Sequence, residues 1–519
     1  MASVMGVATV AATMTGGDAK ADEPRDARFD SVLQMPRYKS AHWGLLFVDA
    51  KTGETLYAHQ PDQLFAPASV TKCYTVATAL DALGADFRFE TPVRRRGELD
   101  AQGRLAGDLV MVASGDLTMG GRTTAQGEIA FTDNDHTYAN GARETQLTDP
   151  DPLAGLNSLA KQIADAGVRR VAGDVLVDDR LFDKAEGSGS GPGRVTPILI
   201  NDNAIDFTIV PTKAGERAKV TWRPQTSALQ VETRMETVAK EGKDAKVTTW
   251  IREEGPGRLY VYGQIPEGHE PIVRIHEVSD AASHARTLFI EALERHGVVV
   301  EASRLAGNRP DHLPNRSDTD ALPVVAKLTS PPFSENARLI LKVSHNLHAS
   351  TLPLIVASRT GRRTLEDGLR AEQAFLKRAG VAVETISFGG GAGGDRADYV
   401  TPRATVQLLR HMATRDDFAA YRRAMPTLGV DGTLAKSVDA TSPAKGRVSA
   451  KTGTLTWDNL LNGNSLLTSK ALAGYLTMPD GREVVFAAFV NNVPLNDGLD
   501  SRAIGRDLGR LCELMVESK

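Results

Sequence analysis

Only two cysteines, Cys73 and Cys512, occur in 519 residues. Two thiols cannot staple a disulfide scaffold, so both read as small buried residues. No Cys/His spacing suited to zinc and no phosphate-binding glycine loop is present, so no metal, nucleotide or other cofactor is needed. Charge of one sign is equally scarce. The 61 Lys and Arg against 65 Asp and Glu leave a net charge of −4, which provides no basic footprint for nucleic acid. The one short basic cluster, Arg94-Arg95-Arg96, reads as a solvated strand end. No segment beyond the N terminus approaches the roughly 20 apolar residues that a membrane helix requires. Membrane association is at most peripheral.

The N terminus does carry an apolar stretch, residues 4–14, followed by Ala19-Lys20-Ala21. This pattern matches the core and small-residue cleavage site of a secretory signal, although the usual positive start is absent. Residues 1–27 are therefore read as a leader and unstructured N terminus, and the mature protein as exported to the periplasm or cell envelope.

Three short polar motifs stand in order along the chain: Ser69-Val70-Thr71-Lys72, Ser344-His345-Asn346 and Lys451-Thr452-Gly453. Each has decoys. Ser-x-x-Lys recurs at Ser158–Lys161 and Ser442–Lys445, Ser-x-Asn at Ser334–Asn336, and Lys-Thr-Gly at Lys51–Gly53. Chemistry separates them. A serine nucleophile needs a base within hydrogen-bond reach, and a helical turn supplies that reach at a spacing of three. Residues 67–84 predict a mostly apolar helix that starts near Ser69 and stops at Gly84. On such a helix burial favours the neutral amine of Lys72, the form able to accept the Ser69 proton.

The other copies lack this setting. Lys161 belongs on an amphipathic surface helix, and Ser442-Pro443-Ala444-Lys445 reads as a loop because proline interrupts it. Lys51-Thr52-Gly53 sits between two strand-like runs as a hairpin turn. The later Lys451-Thr452-Gly453-Thr454 continues a strand-like run instead. There polar side chains can face a cleft while the backbone pairs with an extended substrate, and Lys451 can attract a carboxylate.

With these motifs the chain resembles the penicillin-binding proteins, specifically the low-molecular-mass class C D-alanyl-D-alanine carboxypeptidases and endopeptidases. Further stretches carry the resemblance from about residue 28 onward: Gly107-Asp108-Leu109-Val110, Gly173-Asp174-Val175, Asn201-Asp202-Asn203, Ser330-Pro331-Pro332-Phe333-Ser334 and Gly429-Val430-Asp431-Gly432. It assigns Ser344 to the site and Ser334, as a helix N-cap, to the lead-in helix. Two departures stand out. His345 replaces the commoner aspartate, and Gly389-Gly390-Gly391-Ala392-Gly393-Gly394-Asp395 replaces an Asp-Gly-Ser-Gly-like loop, removing polar side chains from the cleft wall. The segment 457–469 is longer than usual and either overhangs the cleft or decorates the surface.

The fold that follows is α+β: an antiparallel sheet flanked by helices, of the serine β-lactamase/penicillin-binding-protein kind, with a large β-rich nested insertion. Residues 28–92 and 324–519 would form the catalytic domain and 93–323 two nested β-rich domains. The resemblance implies that Ser69 attacks the penultimate D-alanine carbonyl of a peptidoglycan stem peptide and Lys72 takes its proton. Ser344 would relay a proton to the leaving amine, and Asn346 would bind the substrate amide. Lys451, Thr452 and Thr454 would bind the terminal carboxylate beside Gly453, with the N–H groups of Ser69 and Thr454 as oxyanion hole. Peptidoglycan peptides and β-lactams are the expected partners. Two other readings compete: a β-lactamase or esterase, weakened because no Glu-x-x-Leu-Asn segment is found, and a catalytically silent wall-binding protein, opposed by three intact motifs.

Overall fold

A computed structural model describes residues 27–518 apart from 142–143, 190, 241–245, 256 and 497. The expected leader falls outside the described residues except for Ala27, which opens the helix Ala27–Leu33.

Five strands pair antiparallel in the order Val448–Asp458, Ser465–Thr477, Glu483–Leu495, His42–Asp49, Thr55–His59. The strand Glu483–Leu495 is apolar on both faces, as a sheet covered on two sides requires. Val485, Ala487 and Phe489 pack into one core with the helices Thr71–Leu83, Phe333–Val343, Asn346–Ser358 and Pro402–Met412. Val484, Phe486, Ala488 and Val490 pack on the other face against Ala27–Leu33 and the C-terminal helix Ser501–Val516. This is the α+β architecture anticipated from the sequence.

The insertion builds separate cores. Glu90–Leu99, Arg104–Val112, Arg170–Val171, Val175–Asp178, Val299–Val300 and Val324–Thr329 form a six-stranded sheet, backed by the helices Ala154–Asp165 and Ala281–Arg295. Strands from residues 204–277 make two three-stranded sheets around Phe207, Met235 and Val261. They leave the chain after Val175–Asp178 and return it before Ala281–Arg295. Strands Glu90–Leu99 and Val324–Thr329 pair with each other where the chain enters and leaves the insertion.

The local elements differ from the sequence reading at several points. Ser69 lies in a 3₁₀ turn, Ala68–Val70, that feeds the helix Thr71–Leu83, which ends at Gly84 with φ +86°. Ser334 is inside the first turn of Phe333–Val343, and Pro332 holds the N-cap position, since a proline there forfeits no hydrogen bond. The segment 457–469 is largely strand: Val448–Asp458 and Ser465–Thr477 continue as a hairpin whose tip exposes Leu460 and Leu461. Arg396 lies 4.4 Å over the Trp457 ring, tying this hairpin to the end of the glycine-rich loop. The decoys stay apart: Lys161 is exposed and pairs with Asp165, and Lys51–Gly53 is the turn after His42–Asp49.

Candidate active site

Ser69 and Lys72 are three residues apart across the join of a 3₁₀ turn and an α-helix, a spacing that stacks side chains on one face. The Lys72 amine is 2.8 Å from Ser69 Oγ, 2.8 Å from Asn346 Oδ1 and 2.7 Å from the Ala392 carbonyl oxygen. The last two atoms only accept hydrogen bonds, so a neutral amine gives them both its N–H groups and turns its lone pair towards the serine hydroxyl. Lys72 is wholly buried. That burial, reinforced by the charge of Lys451, holds its amine well below the ordinary lysine range. The lowering favours the neutral amine, the form that can accept a proton.

The Ala392 carbonyl was not legible as a functional group in the sequence. The glycine-rich loop presents it because glycines let the backbone approach the Ser69 turn. Gly393 has φ +81°, and a Cβ there would stand 2.0 Å from the Ala68 carbonyl oxygen. Thr75 Oγ1 donates to the Gly391 carbonyl at 2.9 Å. Asp398 anchors both ends of the loop, accepting from the N–H groups of Gly389 and Asp395 at 2.8 and 2.9 Å. Burial raises the Asp398 carboxyl to about 6. Beside it, burial and then the Asp398 charge raise Glu372 to about 8.

The Ser344-His345-Asn346 motif breaks one helical run into two. Ser344 caps Phe333–Val343 in the left-handed region at φ 67°, a conformation costing about 1–3 kcal/mol for a non-glycine residue. His345 caps the next helix, its Nδ1 accepting from the His348 N–H at 3.3 Å. Asn346 thereby begins that helix with its amide oxygen on Lys72.

The third motif runs along Val448–Asp458, which packs against the Ala68–Val70 turn. Gly453 permits this, because a Cβ there would lie 2.4 Å from the Pro67 carbonyl oxygen. Thr452 Oγ1 donates to Thr433 Oγ1 at 2.8 Å, and Thr454 Oγ1 accepts from Lys470 Nζ at 2.8 Å. Lys451, expected to help bind a carboxylate, is bonded internally here. Its amine is buried, donates to the Thr452 carbonyl at 2.9 Å and is lowered by burial to about 7. Lys470, on the neighbouring strand Ser465–Thr477, is a residue the sequence reading passed over. Cys73 follows Lys72, but burial raises its thiol to about 12, leaving no thiolate to compete as nucleophile.

Beneath His345 lies a polar cluster that the sequence did not announce. Metal-ligand side chains meet in two buried triads, Asp202/His345/His348 and Asp135/His136/Asp202. Their donor atoms are already engaged with one another. His136 places both ring nitrogens on carboxylates, at 2.6 Å from Asp206 and 2.7 Å from Asp202, and Arg122 bonds Asp135 and Asp202. A divalent ion among them would have to displace these protons and stand beside the Arg122 guanidinium, so the set fits an ion-pair network better than a metal centre. Its members lie between residues 122 and 348, too far apart to form a spacing motif.

The chain is similar to known proteins over most of its length. The D-Ala-D-Ala carboxypeptidase 3 (S13) family profile matches residues 26–511. A D-alanyl-D-alanine carboxypeptidase from Actinomadura sp. (strain R39) is 28% identical over 484 residues, 89% of this chain and 80% of that protein. The carboxypeptidase DacB of Haemophilus influenzae is 23% identical over 490 residues, covering 90% and 88%. The crystal structure of penicillin binding protein 4 (dacB) from H. influenzae superposes with a TM-score of 0.67 at 20% identity, over 94% of this chain and 99% of that one. The same protein has been solved in complex with a β-lactam, with the same TM-score.

Proposed function

The chain belongs to the D-Ala-D-Ala carboxypeptidase 3 (S13) family, and from that premise we propose that it is a serine D-alanyl-D-alanine carboxypeptidase or endopeptidase of peptidoglycan stem peptides. The observation that carries this reading is Ser69 Oγ at 2.8 Å from a buried amine whose other two partners are both acceptors. Ser69 attacks the carbonyl of the penultimate D-alanine, and its proton passes to Lys72. Ser344 relays a proton to the departing D-alanine amine, and Asn346 holds the substrate amide. Thr452 and Thr454 receive the terminal carboxylate in the field of Lys451, and the N–H groups of Ser69 and Thr454 stabilise the oxyanion. Water then hydrolyses the ester. A β-lactam follows the first step, but its leaving group stays tethered and the acyl-enzyme persists.

In this reading residues 28–92 and 324–519 form the catalytic domain, which lends residues 90–92 and the strand Val324–Thr329 to the sheet of the insertion, and residues 93–323 form two nested appended domains. The substrate lies in the cell envelope, so the protein works there as an exported enzyme. No helix among the described residues is long and apolar enough to cross a membrane.

The test incubates the protein and Ser69→Ala with a fluorescent penicillin and, separately, with a pentapeptide ending in D-Ala-D-Ala. A stable label on the parent, absent from Ser69→Ala, together with free D-alanine is the expected result. Rapid turnover of the label would favour a β-lactamase, and an unlabelled parent would overturn the serine acyl-transfer reading.

A further inference from the structure

Ser344 is the one motif residue held in a left-handed backbone; its N–H bonds the Ile340 carbonyl of its own helix, and its carbonyl is held from the insertion. The short 3₁₀ turn His136–Tyr138 supplies that contact and also bonds Asp202, which holds the neighbouring His345. Tyr138 donates its hydroxyl to the Ser344 carbonyl oxygen. His136, two residues earlier, bonds Asp202 Oδ2 at 2.7 Å. Asp202 sits in a run of three left-handed residues, Asn201, Asp202 and Asn203, at φ 51°, 54° and 53°. Such a run aims a short side chain along a line that no regular element would.

From that position the Asp202 carboxylate collects four donors. Oδ2 accepts from Arg122 at 2.7 Å, His136 at 2.7 Å and His345 Nε2 at 3.3 Å, while Oδ1 accepts from His348 at 2.7 Å. The His345 ring, stacked on His348 at 3.7 Å, is thus fixed at both nitrogens, one on Asp202 and one on the His348 N–H. His345 stands between the two side chains the chemistry uses.

The cluster can afford its burial because its charges cancel. Arg122, Arg223 and a doubly donating His136 face Asp135, Asp202 and Asp206, with Arg223 3.0 Å from Asp206. Against the cost of burial, the carboxylates of Asp135 and Asp206 hold the His136 imidazolium up to about 10. Burial lowers His348 to about 4, so it donates as a neutral ring. Three cations against three anions make a rigid and directional anchor, and losing one member leaves the rest uncompensated.

We propose that Tyr138 and Asp202, both in the insertion, are positioning residues for the Ser344-His345-Asn346 turn. Tyr138 holds the Ser344 carbonyl and Asp202 holds the His345 ring, so that Asn346 meets Lys72. The insertion is then part of the catalytic apparatus, because the turn cannot keep its left-handed residue without it. This inference rests on the serine acyl-transfer reading above.

The test compares the full-length parent with Tyr138→Phe, Asp202→Asn and, as a stability control, Leu293→Ala, which opens a hole in the insertion's own core away from the cluster. Stopped-flow labelling with a fluorescent penicillin separates the dissociation constant of the first complex from the rate constant of acylation. Misplacing the turn should slow acylation about 10- to 100-fold in Tyr138→Phe and Asp202→Asn. The dissociation constant should rise far less than acylation slows, since Thr452 and Thr454 still receive the carboxylate, and Leu293→Ala should acylate at the parental rate despite a lower melting temperature. Parental acylation rates in both cluster variants, or an equal loss in Leu293→Ala, would overturn the proposal. If Asp202→Asn does not fold, Tyr138→Phe decides alone. A parent that takes no label overturns the acyl-transfer reading and this inference with it, whereas a labelled parent with unaffected variants overturns this inference only.

Discussion

The Lys72 amine donates to Asn346 Oδ1 at 2.8 Å, joining residues 274 positions apart in the chain. That bond consumes one of the two N–H groups of the neutral amine, and the Ala392 carbonyl consumes the other. Orientation of the base towards Ser69 is therefore a property of three chain segments together.

Replacing Lys72 by methionine removes the base while keeping the length of the side chain. Acylation by a fluorescent penicillin should slow by about 10²- to 10⁴-fold. The melting temperature should hold or rise, because a buried amine has been exchanged for a buried thioether. Acylation at the parental rate would remove Lys72 from the mechanism.

The amine of Lys451 is charged below and neutral above about 7, its level lowered by burial. Its attraction for a substrate carboxylate should therefore fade as pH rises through 7 in the free enzyme. The ratio of kcat/KM for a D-Ala-D-Ala peptide to that for its C-terminal amide, followed from pH 6 to 9, should fall across that range. Any change in the Ser69–Lys72 pair affects both substrates and cancels in the ratio. A flat ratio would show that Lys451 does not act on the carboxylate.

Glu372 bears on stability rather than catalysis. Its carboxyl titrates near 8 in the folded protein, raised by burial and Asp398, against 4.5 when unperturbed. Between those values the folded state keeps a proton that the unfolded chain has released, so stability falls with rising pH, by up to about 1.4 kcal/mol per unit from this group. Glu372→Gln removes that slope. Its melting temperature relative to the parent should climb between pH 5 and 8, and a constant difference would refute the assignment.

Gly453→Ala would force a Cβ to within 2.4 Å of the Pro67 carbonyl oxygen and lever the strand away from the Ser69 turn. We expect a stability loss of about 1–3 kcal/mol and an acylation rate lower by about 100-fold. Gly446→Ala is the control: its φ of +74° is strained for alanine, but no atom lies within 4 Å of the added carbon. It should lose stability and keep its acylation rate; equal kinetic losses would place the effect in general destabilisation.

Much of the site was readable along the chain. The spacing of Ser69 and Lys72 and the apolar run after them depend on neighbours within a few residues, where turn geometry decides. The strand Glu483–Leu495 has the same local logic, since its apolar run Val484–Val490 suits a sheet covered on both faces. The reading of Ser334 as an N-cap failed at that same short range, because Pro332 takes the cap two residues earlier. The burial of the Lys451 amine was not legible for a different reason. Residue type says that an amine is present but not that Thr452 folds over it.

The sequence by itself determined that Ser69 and Lys72 share one face, because residue identity and helical spacing set that. Only the tertiary structure decided how they are held. The Ala392 carbonyl, the left-handed Ser344 and the ring of His345 on Asp202 are contacts between segments tens to hundreds of residues apart. No local pattern encodes such contacts. They arise when packing of separate elements leaves each buried polar group one remaining partner within reach.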